Sequence, residues 1–177
     1  MTGRVLELYL TSRAAAPMVS VTRADAVPRL GLAGDRYALG GGTWADWPAT
    51  EKQLTLIDAA AVAEVAAELG APFTPADTRR NVVTAGIDLP ALVGRFFCVG
   101  DVLLFGMKRC PPCQHLATLT GLPLVKPMAL RGGVNAAVFT AGPIAVGAPV
   151  REVSDADAAA LGAPVGADRP VPRTVGA

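Results

Sequence analysis

The sequence predicts a mainly β fold, a barrel with a few helices, and three observations carry that reading. About eight short runs of apolar and β-branched residues recur along the chain, as strands do. The 19 glycines and 15 prolines punctuate those runs as turns. One stretch alone keeps a clear helical period, whereas a parallel α/β sheet would alternate strands with helices throughout. At 177 residues the chain suits one domain with a substantial core.

Residues 5–10 and 18–22 read as short strands. Residues 28–50 show little hydrophobic periodicity and include Gly40-Gly41-Gly42; so long a loop in a small domain tends to be functional or mobile. Residues 53–57 form a strand, after which Asp58 caps a helix running to Leu69, with Gly70 as its stop. Val62, Val65, Ala66 and Leu69 make its buried stripe, and Glu64 and Glu68 share a solvated face. Residues 72–78 are loop, and Arg79-Arg80-Asn81 leads into a β-branched strand. The two guanidiniums and the amide offer donors suited to phosphate. Residues 95–99 and 101–108 are strands joined by a Gly100-Asp101 turn, with Cys98 a buried, inert thiol. Two more strands, 130–139 and 144–150, follow, and Arg131-Gly132-Gly133 at the start of the first signals a bulge or a close ligand approach. Ser154 caps a short helix to Leu161, and residues 162–177 read as a loosely ordered Pro/Gly/Ala-rich tail.

Composition narrows the function classes. A net charge of +1 and 5% aromatic residues give no case for nucleic acid or a membrane surface. No run of 18 apolar residues is present, and residues 1–10 lack the pattern of a signal peptide. Three cysteines, two of them three apart, do not make a secreted disulfide framework. A soluble cytoplasmic protein is expected.

Chemistry is expected at Lys108-Arg109-Cys110-Pro111-Pro112-Cys113-Gln114-His115-Leu116, which holds two of the three cysteines and the only histidine. Nearby cations or a helix N-terminus favour a thiolate; Lys108 and Arg109 supply the first, and a helix over 114–119 the second. Gln114 separates the cysteines from His115, against a Cys-x-x-Cys-His haem site, and no second close pair completes a zinc site. A thioredoxin-like pair would follow a βαβ unit, whereas the flanking strands read as hairpins. A reversible Cys110–Cys113 disulfide stays open, as does a single thiolate used as a metal ligand or sulfur carrier. On these grounds either cysteine would serve.

An ordered set of motifs resembles one family. Gly34-Asp35-Arg36 comes first, then Gln53-Leu54-Thr55-Leu56-Ile57-Asp58 and Arg79-Arg80-Asn81-Val82-Val83. Gly86-Ile87-Asp88-Leu89, Leu92-Val93-Gly94-Arg95, Pro112-Cys113-Gln114-His115-Leu116 and Arg131-Gly132-Gly133-Val134 complete it. The chain is similar to the MOSC domain family, named after the C-terminal domain of molybdenum cofactor sulfurase, in its compact stand-alone bacterial form. The resemblance spans residues 3–152, leaving 153–177 as the short helix and tail.

The resemblance implies a MOSC-type β-barrel, and its Pro-Cys-x-x-Leu signature points to Cys113 rather than Cys110. By that likeness Cys113 is the molybdenum ligand or a persulfide carrier, and Asp35, Arg36, Arg79, Asn81 and Arg131 hold the molybdenum cofactor. The implied activity is reduction of small N-hydroxylated compounds with a separate electron-donor protein. The alternatives are a sulfur carrier fed by a sulfur-donor protein, or a non-catalytic binding module. Two features depart from the family pattern: Cys110, and Gly147-Ala148-Pro149-Val150 in place of Gly-Asp-x-Val. Nothing marks Lys52, Lys108 or Lys126 as a Schiff-base lysine, so pyridoxal phosphate is not expected.

Overall fold

Seven strands close on themselves around an apolar interior. A computed structural model describes residues 2–44, 46, 53–164 and 166–172. The strands are β1 (Thr2–Leu10), β2 (Val19–Val21), β3 (Arg23–Val27), β4 (Gly31–Leu32), β5 (Leu54–Asp58), β6 (Val82–Ala85), β7 (Phe96–Val99), β8 (Val102–Arg109), β9 (Val134–Val138), β10 (Gly142–Ala145) and β11 (Pro149–Glu152). Three α-helices accompany them, α1 (Ala59–Leu69), α2 (Gln114–Thr120) and α3 (Asp155–Ala160). The large sheet runs β11-β7-β8-β9-β5-β6-β1-β2, and pairing of β11 with β1 closes seven of these strands into a barrel. Strands β10, β3 and β4 form a small separate sheet. The mainly β barrel with a few helices is the fold expected.

Period-2 alternation sorts each strand's side chains between two layers. Leu54, Leu56, Val82, Val99, Leu104, Val134 and Ala136 belong to the barrel interior. The alternate residues face outward and are covered. Ile57 and Val83 pack under α1 with Val62 and Val65. Phe96, Cys98, Leu103 and Phe105 pack with Val153 and Ala158 from the α3 region. Each valine, leucine, isoleucine or phenylalanine among them contributes about 1.5–3 kcal/mol on leaving water. Cys98 is fully buried, and burial pushes its thiol above the ordinary value, as an inert cysteine requires. The pair β5–β6 is parallel, with α1 as its crossover. Asp58 caps α1 by accepting from Ala60 N at 2.7 Å, and Gly70 ends it, as the sequence predicts.

Four local expectations change. The segment 18–22 is only the start of an irregular region in which β3 and β4 also form. The strand expected over 130–139 begins at Val134, because residues 130–133 turn sharply. Gly133 there has φ +89, and a Cβ would lie 1.9 Å from the Leu56 carbonyl oxygen, so another strand's backbone, not a ligand, requires the glycine. The strand expected over 144–150 is two, β10 and β11, broken by a turn at Gly147. Finally, the described part of the tail is docked: the Arg169 guanidinium lies 5.7 Å from the Phe96 and Phe105 ring centroids, and its Nη2 donates to the Gly94 carbonyl at 2.8 Å. Positions 45, 47–50, 165 and 173–177 of the expected loop and tail, and Lys52, lie outside the described residues.

Candidate functional site

The site lies on the outer face of the barrel wall, not inside it. Between the inward-facing Leu54 and Leu56, and Val134 and Ala136, stand Thr55 and Asn135, pointing outward. Lys108 is the register partner of Asn135 across β8–β9, and Thr55 is its partner across β5–β9. The same level continues to Asn81, whose Oδ1 accepts from Thr55 N at 3.2 Å and Thr55 Oγ1 at 2.9 Å. Thr55, Lys108 and Asn135 of this row floor a cavity of about 350 Å³. Residues 110–113, His115 and Leu116 line it from one side, and Tyr37, Thr43 and Trp44 from the other.

Its charge has one sign. Arg36, Arg79, Arg80, Lys108 and Arg109 line the cavity, and among the described residues no Asp or Glu does. Such a cavity focuses positive potential on whatever it encloses. The three arginines near the loops differ in what their donors already hold. Arg80, 9% exposed, donates Nε to Gly132 O (2.9 Å), Nη1 to Thr78 O (3.2 Å) and Nη2 to Cys110 O (2.8 Å). It is a staple that fixes the cysteine segment to the barrel, and Gly132 allows the close packing, since a Cβ there would meet the Cys110 carbonyl at 2.2 Å. Arg36 is equally committed. Its Nη1 reaches Asp35 Oδ2 (3.3 Å), its Nη2 donates to Arg79 O (3.2 Å), and its guanidinium carbon lies 4.7 Å from the Tyr37 ring centroid. Arg79 is different. Its Nη1 donates to Ala16 O at 2.7 Å, but its Nη2 is buried and has no hydrogen-bond partner among the described residues.

Two further facts mark Arg79. Its backbone is left-handed at φ +59, a conformation that costs a side-chain-bearing residue about 1–2 kcal/mol. Burial, and then the neighbouring Arg36, push its guanidinium below the ordinary value, so the site disfavours the charge that chemistry obliges Arg to carry. A strained backbone, an orphaned donor and a disfavoured cation coincide on one residue, as at sites built to receive an anion.

Asp35 and Asn81 sit behind this wall. Asp35, 1% exposed, accepts from Tyr37 N (3.2 Å), Asn81 Nδ2 (3.1 Å) and Arg36. Asn81 Nδ2 also donates to Tyr9 O at 3.2 Å. Neither lines the cavity, so both position residues that do.

Arg131 is a correction. Expected to hold phosphate, it points elsewhere, its Nη1 2.6 Å from Glu68 and its Nε 3.3 Å from Glu64. It lines a second, shallower cleft with Asp58, Glu64 and Asp88, whose acidity opposes an anion. The carboxylates spaced along α1 draw it there; they are a paired surface rather than merely solvated.

Cys110 and Cys113 are both free, half-buried thiols lining the cavity. Cys110 continues β8, its N–H donating to Gly133 O at 2.8 Å. Cys113 occupies the N-cap of α2; its carbonyl accepts from Leu116 N (3.0 Å), while its thiol makes no capping bond and stays available. His115 Nε2 lies 3.4 Å from Thr43 Oγ1, joining the two sides of the cavity. Tyr37, Trp44 and Asn135 are not singled out as site residues by the sequence, whereas Arg80 stands in the Arg-Arg-Asn run it offers to phosphate. Asn135 carried a readable signal, a lone carboxamide inside the apolar run Val134–Val138.

A family profile described as the MOSC domain matches residues 33–151. The fold is similar to the YuaD protein from Bacillus subtilis, with a TM-score of 0.70 and 18% identity over 87% of this chain and 98% of that one. It is similar to YiiM from Geobacillus stearothermophilus (TM-score 0.65, 18% identity, 86% of this chain, 75% of that one). YiiM from Escherichia coli is another likeness (TM-score 0.64, 20% identity, 87% and 70%). At these identities the likeness is one of fold. Comparison with curated protein sequences finds no match.

Proposed function

This chain belongs to the MOSC domain family, and from that premise we propose that its cationic cavity binds the molybdenum cofactor, with Cys113 as the thiolate ligand of the metal. The observation that carries the reading is the buried, unpartnered Nη2 of Arg79. A phosphate oxygen there would complete its hydrogen bonding, and Arg36, Arg80, Lys108 and Arg109 would share the charge. The residues present therefore fit a phosphate-bearing group with a soft metal, since thiolate sulfur suits such a metal better than oxygen ligands do.

When bound, the cofactor would supply two-electron redox chemistry to a small N-hydroxylated substrate. The chain's own residues bind and orient. Asp35 and Asn81 fix Arg36, Arg36 supports the Arg79 carbonyl, and Arg80 with Gly132 holds the cysteine segment in place. Tyr37 and Trp44 add two aromatic rings to the lining. With three cysteines the chain cannot complete a four-cysteine iron–sulfur site, so electrons would come from a separate donor protein.

Purified from a cofactor-competent host, the wild-type protein should carry near-stoichiometric molybdenum, lost in Cys113→Ala and kept in Cys110→Ala. Molybdenum equally absent from, or equally present in, wild type and Cys113→Ala would sink the proposal. A second reading is favoured by the second thiol in the cavity: a persulfide carrier in which Cys110 resolves Cys113. Intact mass after incubation with a cysteine desulfurase should then show sulfur added at Cys113, and an unmodified thiol counts against it.

A further inference from the structure

Two asparagines stand on the same level of the barrel wall, and only one has its hydrogen bonds met by the protein. Asn81 is saturated: its Oδ1 accepts twice from Thr55, and its Nδ2 donates to Tyr9 O and Asp35 Oδ2. Asn135, next in the row across Thr55, is 7% exposed and lines the cavity. Among the described residues its side-chain amide has no hydrogen-bond partner. Among the described residues the buried side-chain atom left without a partner is Arg79 Nη2; the Asn135 amide instead opens on the cavity, presenting its hydrogen-bonding groups to whatever fills it. The carboxamide has an acceptor oxygen and donor hydrogens on adjacent atoms. It carries no charge, so it does not duplicate Arg79. Along β9 it lies two residues, about 7 Å of strand, from Gly133, whose carbonyl holds Cys110 N–H.

We propose that Asn135 is the specificity-determining contact of the cavity, reading a planar, uncharged edge that presents a hydrogen-bond donor beside an acceptor, as an amide, lactam or amidoxime does. This rests on the reading of the cavity as a ligand site that holds an anionic group at Arg79. The cavity then has two chemically distinct poles, a cationic one for phosphate and a neutral one for an amide-like edge. Both the pterin ring of a cofactor and an N-hydroxylated substrate carry such an edge, and binding experiments separate them.

The test uses the full-length apoprotein and calorimetric titration with three probes: orthophosphate, an unphosphorylated pterin and an aryl amidoxime. Asn135→Leu should weaken one planar probe by about tenfold or more, the loss expected for one or two hydrogen bonds, with orthophosphate affinity unchanged. Loss on the pterin assigns the edge to the cofactor ring; loss on the amidoxime assigns it to the substrate. Asn135→Ala, which removes the amide without adding charge, decides the matter should the leucine variant melt early, and it should show the same selective loss. Wild-type protein that binds neither planar probe overturns the proposal, as does a variant that binds both with wild-type affinity or loses orthophosphate in step. Orthophosphate binding that survives Arg79→Gly would refute the cationic pole separately, leaving the planar probes to judge Asn135.

Discussion

Replacing Arg79 by glycine should leave the protein as stable as wild type or slightly more so, while removing its affinity for phosphate. Glycine relieves the left-handed backbone strain, about 1.5 kcal/mol for φ +59. It also removes the buried orphan donor Nη2, worth about 2 kcal/mol. Against this stand the lost Nη1 bond to Ala16 O, about 2 kcal/mol for a charged donor, and the extra freedom of an unfolded glycine, about 0.7 kcal/mol. Ala16 O keeps its contact from Thr11 Oγ1, and the Arg36 bond to the residue-79 carbonyl is a backbone contact that survives. The balance favours the variant by about 1 kcal/mol. Urea unfolding gives the stability and calorimetry with orthophosphate the affinity. An arginine kept for structure would behave oppositely: a loss of more than about 2 kcal/mol with unchanged phosphate binding would refute the reasoning.

Three other outcomes follow from the same geometry. Asp35→Ala leaves the buried Arg36 without its carboxylate and should cost about 3–5 kcal/mol, whereas Asp35→Ala with Arg36→Met should recover much of that; a double-mutant cycle with no coupling would contradict the buried pair. Arg131→Ala should leave orthophosphate affinity within twofold of wild type, because its guanidinium serves Glu64 and Glu68; a tenfold loss would return it to the site. Burial and the hydrogen bond to Glu7 push the Tyr9 hydroxyl up to about 12, so the folded state favours the neutral phenol. That stability is complete below pH 10, the unfolded value, and is lost as pH rises toward 12, by about 2–3 kcal/mol. Urea midpoints at pH 9 and 11 should therefore fall further in wild type than in Tyr9→Phe, and equal falls would remove the effect.

Much of this molecule is written in short-range pattern. Alternating apolar residues place the strands, Asp58 and Ser154 mark helix starts by chemistry confined to one turn, and Pro112-Cys113 with its basic neighbours marks a segment that lines the cavity. Arg79-Arg80-Asn81 is visible too, but as three similar candidates. Separating them took the fold. Arg80 spends its donors on carbonyls of residues 78, 110 and 132, Asn81 on Tyr9, Asp35 and Thr55, and Arg79 alone of the three keeps a buried donor unspent.

The sequence by itself determined the strand period, the helix caps and the thiol-bearing segment, because each depends on neighbours within a turn or two of the chain. Tertiary structure decided which polar groups share one wall and which are already satisfied. Arg131 reads as a phosphate ligand until α1 places Glu64 and Glu68 beside it. Asn135 reads as a stray polar residue until barrel closure sets it between Lys108 and Thr55 on the floor of the cavity. Both outcomes turn on partners far away in sequence, and a hydrogen bond left open can be recognised only once every other one has been counted.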